Sequence, residues 1–148
     1  EGLEQMRQVF GGDFPYRRQV AGDLGQKMRT ALEEALRTGA SRAVVIGTDC
    51  PDLTPSRLRQ AFEALETREL VLGPAPAGGY YLIGCRRVWP ELFADIPWGT
   101  GQVWARTLAA AWGAGLTPHV LEPLPDVDRP EDLPIWEAAR RDHARYGD

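Results

Sequence analysis

Two short stretches of this chain carry carboxylates at spacings that could do chemistry. In VVIGTDCPDLTP, Val44 to Pro55, an apolar run leads straight into Asp49, and Asp52 follows three positions later. In DVDRPEDL, Asp126 and Asp128 precede a helical pattern. Acids at the carboxyl ends of two strands can share a hard divalent cation. Mg2+ and Mn2+ prefer oxygen ligands and keep waters and phosphate oxygens as the rest of their shell. Such an ion neutralises a diphosphate and helps it leave. A structural explanation competes at each position. Asp49, ahead of Cys50 and Pro51, suits an Asx turn; Asp128 suits a helix cap worth about 1 kcal/mol.

Two more stretches could touch a ligand. In PAGGYYLIG, the paired glycines Gly78 and Gly79 ahead of a strand would let backbone approach a ligand closely, or make only a tight turn. Tyr80 and Tyr81 alternate faces, so one is expected to line a pocket and the other to pack in the core. In IPWGT, Trp98 could stack on a sugar and Thr100 could donate a hydroxyl hydrogen, while a lone loop tryptophan is also a common packing anchor. Trp89, Trp104, Trp112 and Trp136 are expected in the core or half-buried.

The elements that must position these residues are legible from periodicity. Residues 1–22 are mixed and turn-rich. From Asp23 the pattern becomes helical, with Leu24, Met28, Leu32 and Leu36 on one stripe, widened by Ala31 and Ala35. Asp23 can cap that helix and Gly39 can end it. AVVIG then reads as a strand buried on both faces, as in a parallel sheet. Thr54 and Pro55 suit the N-cap and first position of a second helix, with Leu58, Phe62 and Leu65 on its apolar side. ELVLG (69–73) and GYYLIG (79–84) are two more strands. Too few residues separate them for a parallel crossover, so they are either an antiparallel pair or bridge to non-neighbouring positions. Pro90 to Asp95 suits a short helix. Val103 to Trp112 suits a longer one, with Val103, Thr107, Ala110 and Ala111 inward and Gly113 or Gly115 ending it. HVLEPL (119–124) is a fourth strand. Asp128 and Glu131 have capping-box spacing for a last helix. Strands alternating with helices argue a single three-layer α/β domain over residues 1–148.

Composition narrows the function classes. The 148 residues are 43% hydrophobic and 26% charged, ordinary for a globular domain with a real core. A net charge of -4 argues against a broad nucleic-acid surface. No apolar run approaches the roughly 20 residues of a membrane span. EGLEQMRQVF does not read as a signal peptide, and the chain begins without Met, as a processed chain or a fragment would. Cys50 and Cys85 lack CxxC spacing and are expected to be reduced thiols of a cytoplasmic protein. His119 and His143 are isolated, which leaves little for a His-based metal site or a Ser-His triad. A phospho-acceptor receiver domain would need a late lysine, and none follows Lys27.

GDLGQKM, VVIGTDCPDLTP, GPAPAGGYYLIG, IPWGT and DVDRPEDL occur in this order. Together they resemble a bacterial family of GT-A-like nucleotide-diphospho-sugar transferases, of the kind labelled as glycosyltransferases of arsenosugar biosynthesis or as transferases associated with radical-SAM and selenium domains. The resemblance runs from about Gln19 to Trp136. It implies a Rossmann-like GT-A fold, a nucleotide-sugar partner and Mg2+ or Mn2+. It matches Asp49 and Asp128 to metal-binding acids, with Asp126 behind them. Gly78 and Gly79 would admit the donor, and the turn from Asp23 to Gly25 would border its base or sugar. Tyr80, Trp98 and Thr100 complete the expected substrate contacts. No general base stands out from the residues; Asp52 and Asp95 are the candidates.

The chain departs from that family at two places. An acid usually precedes the paired glycines, where this chain has Ala77. Family members also begin with a strand, a loop resembling PxPGxxKTRL, a helix and a second strand, none of which is recognisable here. The chain therefore reads as the C-terminal two-thirds of the family domain, and a bare strand edge would favour self-association. Glycosyl transfer is the expected activity. Nucleotidyl transfer on the same fold and a non-catalytic nucleotide-binding remnant are the alternatives.

Overall fold

Residues 21–47 and 53–124 are described by the computed structural model of this protein. Asp49, Asp52, Asp126 and Asp128, together with Cys50, Trp136 and the expected last helix, lie outside the described residues.

Helix α1 (Leu24–Arg37) begins where its sequence says it should. Gln26 N donates to Asp23 Oδ1 at 2.8 Å, and Asp23 N donates to Gln26 Oε1 at 2.9 Å. This capping box satisfies two otherwise orphaned amides. The helix ends in a Schellman turn. Gly39 takes φ +118° and donates to Leu36 O, and Ala40 N donates to Ala35 O. Met28 and Leu32 are buried, whereas Leu24, at the first helical position, is 51% exposed. The buried stripe is thus shorter than its spacing predicts.

Strand β1 (Ala43–Ile46) follows, then helix α2 (Pro55–Ala64), whose N-cap Thr54 accepts from Arg57 N. Strand β2 (Leu70–Pro74) and strand β3 (Tyr80–Cys85) form an antiparallel hairpin, which decides the question the short link left open. A 3-10 turn covers only Pro90–Leu92, not the longer helix to Asp95, and Asp95 takes φ 57° just beyond it. Helix α3 (Val103–Gly113) ends in a second Schellman turn, with Gly115 at φ +78° and Leu116 N donating to Ala111 O. Strand β4 is only His119–Val120.

The sheet order is β1-β3-β2-β4. β1 and β2 both run antiparallel to β3, and β4 is parallel to β2, so β1, β2 and β4 share one direction. AVVI was expected to be buried on both faces among parallel neighbours. It pairs instead with the antiparallel β3, because β3 is inserted between β1 and its parallel partner β2. Among the described residues β1 is an edge strand, and Ile46 is 41% exposed.

Side chains alternate across this sheet into two cores. On one face Leu70, Leu72, Ile83 and Cys85 pack with Met28 and Leu32 of α1, Ala111 of α3, and Leu92 and Phe93. On the other, Val71, Tyr81 and Leu82 pack with Ala61 and Leu65 of α2 and with Leu121 and Leu124. Helices therefore cover both faces, giving three layers. In α3 the row Val103, Thr107 and Ala111 faces inward. Trp104 and Leu108, half-buried, skirt the core. Trp112, last in their row, was expected in or near the core but is 64% exposed, because that row leaves the core at the end of the helix.

Candidate ligand site at the carboxyl edge of the parallel strands

Short connections of about five residues join the end of α1 to the start of β1, α2 to β2, and α3 to β4. Each helix therefore runs back against its strand, and all three helices begin at the edge where β1, β2 and β4 end. In open α/β sheets this is the edge where ligands bind. One backbone amide at each of these helix starts is already engaged. Asp23 caps α1 and Thr54 caps α2, while Trp104 N at the start of α3 donates to Gly78 O at 2.7 Å.

The turn between β2 and β3 stands at the centre of this edge. Ala75 N donates to Gly79 O at 3.0 Å and Gly78 N to Ala75 O at 3.1 Å. The two glycines differ sharply. Gly78 has φ +91°, and a Cβ there would lie 2.3 Å from Gly101 O, so its missing side chain makes room for protein backbone. Among the described residues, a Cβ on Gly79 would meet nothing within 4 Å. The space a ligand could use is at Gly79.

A bulge opposite Gly73 and Pro74 then sets the two tyrosines. Gly73 pairs with Leu82 but Pro74 pairs with Tyr80, which leaves Tyr81 as the extra residue. Tyr81 therefore joins Leu82 on the α2 face, and Tyr80 packs on the α1 face. Tyr81 is the core residue. Its ring fills the place of a Gly73 side chain, where a Cβ would lie 2.4 Å from it, and its hydroxyl donates to Glu122 O at 2.9 Å. Tyr80 is half-buried, with its hydroxyl 3.9 Å from Met28 Sδ and its ring edge-on to Trp98 at 6.5 Å. Burial raises the Tyr80 phenol above its ordinary 10.0.

Trp98 joins this wall to α1. A Cβ on Gly25 would lie 2.7 Å from Trp98 Cζ2 and 2.5 Å from Phe93 O. Gly25 is thus the seat of the indole, whose Nε1 is buried without a hydrogen-bond partner among the described residues. Thr100 is exposed; its hydroxyl donates to Pro97 O at 2.7 Å and accepts from Gln102 N at 3.2 Å, which shapes the loop before α3. Asp23 is exposed and its Oδ1 is used by the cap. The structure therefore gathers Gly25, Tyr80 and Trp98 into one aromatic wall and sets Gly78 and Gly79 at the start of α3. Sequence reasoning missed Gly101, the seat of Gly78, although a second glycine two positions after Gly99 was a visible signal. It also missed the tie from Tyr81 to Glu122, for which a lone tyrosine gives no signal.

Among the described residues, no group of three or more His, Cys, Asp or Glu side chains could hold a metal ion. The expected ligands Asp49 and Asp128 lie outside them, as does Asp52. No described helix is long and apolar enough to cross a membrane.

A sequence family described as "Uncharacterized protein conserved in bacteria (DUF2064)" matches residues 1–100. The chain belongs to this family. The DUF2064 chain also superposes on the crystal structure of a "putative nucleotide-diphospho-sugar transferase" from Desulfovibrio desulfuricans G20, with a TM-score of 0.86 and 29% identity. The match covers 96% of this chain and 68% of that one. No curated protein matches the DUF2064 chain. Its three-layer α/β/α sheet is thus the GT-A-like fold of nucleotide-diphospho-sugar transferases.

Proposed function

We propose that this chain carries the ligand edge of a transferase that moves a glycosyl group from a nucleotide-diphospho-sugar to an acceptor. The observation that supports the reading best is the 0.86 TM-score match to the Desulfovibrio protein across 96% of the chain. The finer kinship, with transferases of arsenosugar biosynthesis or those associated with radical-SAM and selenium domains, rests on the five sequence motifs alone.

In this reading the donor lies along the carboxyl edge. Gly79 leaves its backbone open to the diphospho-sugar, while Tyr80 and Trp98 wall the side nearest α1. Asp49 follows shortly after Gly47, which is fixed to this edge by its bond to Tyr81 O, and Asp128 follows Leu124, fixed by its bond to Pro74 O. The donor set fits Mg2+ or Mn2+, and such an ion would supply charge neutralisation to the departing diphosphate. The acceptor hydroxyl forms the new bond to the anomeric carbon as the bond to the diphosphate breaks. Its proton passes to a base, for which Asp52 is the candidate. A buried free thiol at Cys85 suits the cytoplasmic setting proposed from the two cysteines.

The test is a thermal-shift panel of nucleoside diphosphates and nucleotide sugars, with and without Mn2+, on the native chain and on Asp49→Ala and Asp128→Ala. A ligand at about 100 times its dissociation constant adds about 2.7 kcal/mol, roughly 5–10 °C in a chain of this size. The expected result is a metal-dependent shift for one nucleotide, lost in both variants, with nucleoside diphosphate rather than pyrophosphate as the product. A shift that persists in both variants, or none with any ligand, would sink the reading.

A further inference from the structure

Between β4 and the run holding Asp126 and Asp128, the chain passes through Leu121–Leu124. Pro123 and Pro125 have no N–H, so this stretch cannot extend the ladder, and β4 stops after two residues. Two backbone bonds continue the attachment, Leu121 N to Leu72 O at 2.9 Å and Leu124 N to Pro74 O at 3.3 Å. Two side chains add to it, and both act on Glu122. Tyr81 donates to the Glu122 carbonyl at 2.9 Å, from the face to which the bulge has turned it. Arg57 donates to Glu122 Oε2, also at 2.9 Å. Arg57 belongs to the first turn of α2, the helix that begins just after Asp52. The elements flanking the two acid-bearing stretches are therefore tied together at one residue.

We propose that Tyr81 and Arg57 are positioning residues for the nucleotide-sugar site. Acting through Glu122, they fix the point from which the chain enters the run carrying Asp126 and Asp128, relative to the start of α2. The inference rests on the reading under Proposed function. Glu122 is 79% exposed on its side chain, so the ion pair adds little to stability, and its value lies in setting a position.

The experiment compares Tyr81→Phe, Arg57→Gln and the charge-swapped double variant Arg57→Glu/Glu122→Arg with the native chain. Asp49→Asn and Asp128→Asn serve as references. Two readouts run in parallel: melting temperature without ligand, and affinity for UDP, GDP, UDP-glucose and GDP-mannose with Mn2+. Tyr81→Phe and Arg57→Gln are expected to weaken the responding nucleotide about tenfold, the loss typical when a group that orients a ligand is removed. Their melting temperatures should stay close to the native value, and the charge swap should restore affinity. Native affinity in both single variants, with affinity lost in the two Asp→Asn references, would overturn the positioning role and leave the site reading intact. A loss of affinity that tracks melting temperature and is not rescued by the swap would also overturn it, by reducing the pair to a structural tie. Unchanged affinity in the Asp→Asn references, or no nucleotide response in the native chain, would overturn the underlying reading and the proposal with it.

Discussion

Gly78 and Gly79 are neighbours in sequence, yet alanine at each should have opposite effects. At Gly78, φ +91° puts any Cβ against its own backbone, at a cost of about 1–2 kcal/mol. The same Cβ would lie 2.3 Å from Gly101 O, and relieving that contact by shifting backbone costs about 1–3 kcal/mol. The shift would also strain the 2.7 Å bond from Trp104 N to Gly78 O, worth about 1 kcal/mol. Gly78→Ala should therefore destabilise by about 4 kcal/mol, at the high end for a single substitution, and lower the melting temperature by roughly 10 °C. Gly79 lacks a positive φ, and a Cβ added there would meet nothing within 4 Å among the described residues. Gly79→Ala should be neutral or stabilising by about 0.4–1 kcal/mol through the unfolded chain. Urea and thermal denaturation of both variants measure the contrast. If the two melt within a couple of degrees of each other, the packing of the β2–β3 turn on Gly101 is wrong. If Gly79→Ala keeps its stability but loses nucleotide response, the open space beside Gly79 is the approach path.

Three further outcomes follow from buried groups. Thr107 is 0% exposed and its hydroxyl has no partner among the described residues, so Thr107→Val should stabilise by about 1 kcal/mol, read by urea denaturation; a loss would mean the hydroxyl is satisfied. Gly73→Ala should destabilise by about 1–3 kcal/mol, because its Cβ would sit 2.4 Å from the Tyr81 ring; a native melting temperature would refute that seat. Burial, and then Glu69, pushes the Cys85 thiol from 9.0 to about 12, and burial also raises the Tyr80 phenol. For groups raised on folding, the stabilising contribution is complete below the ordinary value and is lost as pH rises through the folded value. The melting temperature should therefore fall as pH rises from about 9 toward 12, and a thiol reagent at mildly alkaline pH should reach Cys85 only after denaturant is added. Rapid labelling at Cys85 itself in the native chain, distinguished from Cys50 by peptide mass, would contradict its burial.

Helix boundaries were the most legible part of the sequence, because their signals are local. Asp23 and Gly39 bracket α1, and Thr54–Pro55 opens α2, as read. Strand partners were less so. An apolar run such as AVVI encodes burial but not the direction of its neighbour, and here the neighbour is β3. The end of HVLEPL was readable in hindsight from Pro123 and Pro125, which cannot donate to a ladder. The paired glycines were found, but their division of labour depends on Gly101, far along the chain. Trp98 was read as either a ring for sugars or a packing anchor, and it packs on Gly25 beside Tyr80. Asp49 and Asp128 were legible only as residue types at strand ends, and they lie outside the described residues.

β3 occupies the inside of the sheet while being joined to β2 by only the Ala75–Gly79 turn. The strand pair with the shortest chain separation is therefore also the one both outer strands depend on, since β1 docks on β3 and β4 on β2. Closing a short loop costs little entropy, whereas bringing in β1 closes a loop that includes all of α2. This arrangement predicts an order of assembly in which the hairpin forms first as a template and the outer strands zip on afterwards. Destabilising changes at the β2–β3 contact should slow folding, while those in β1 or β4 should mainly hasten unfolding, a difference that stopped-flow chevrons would read directly.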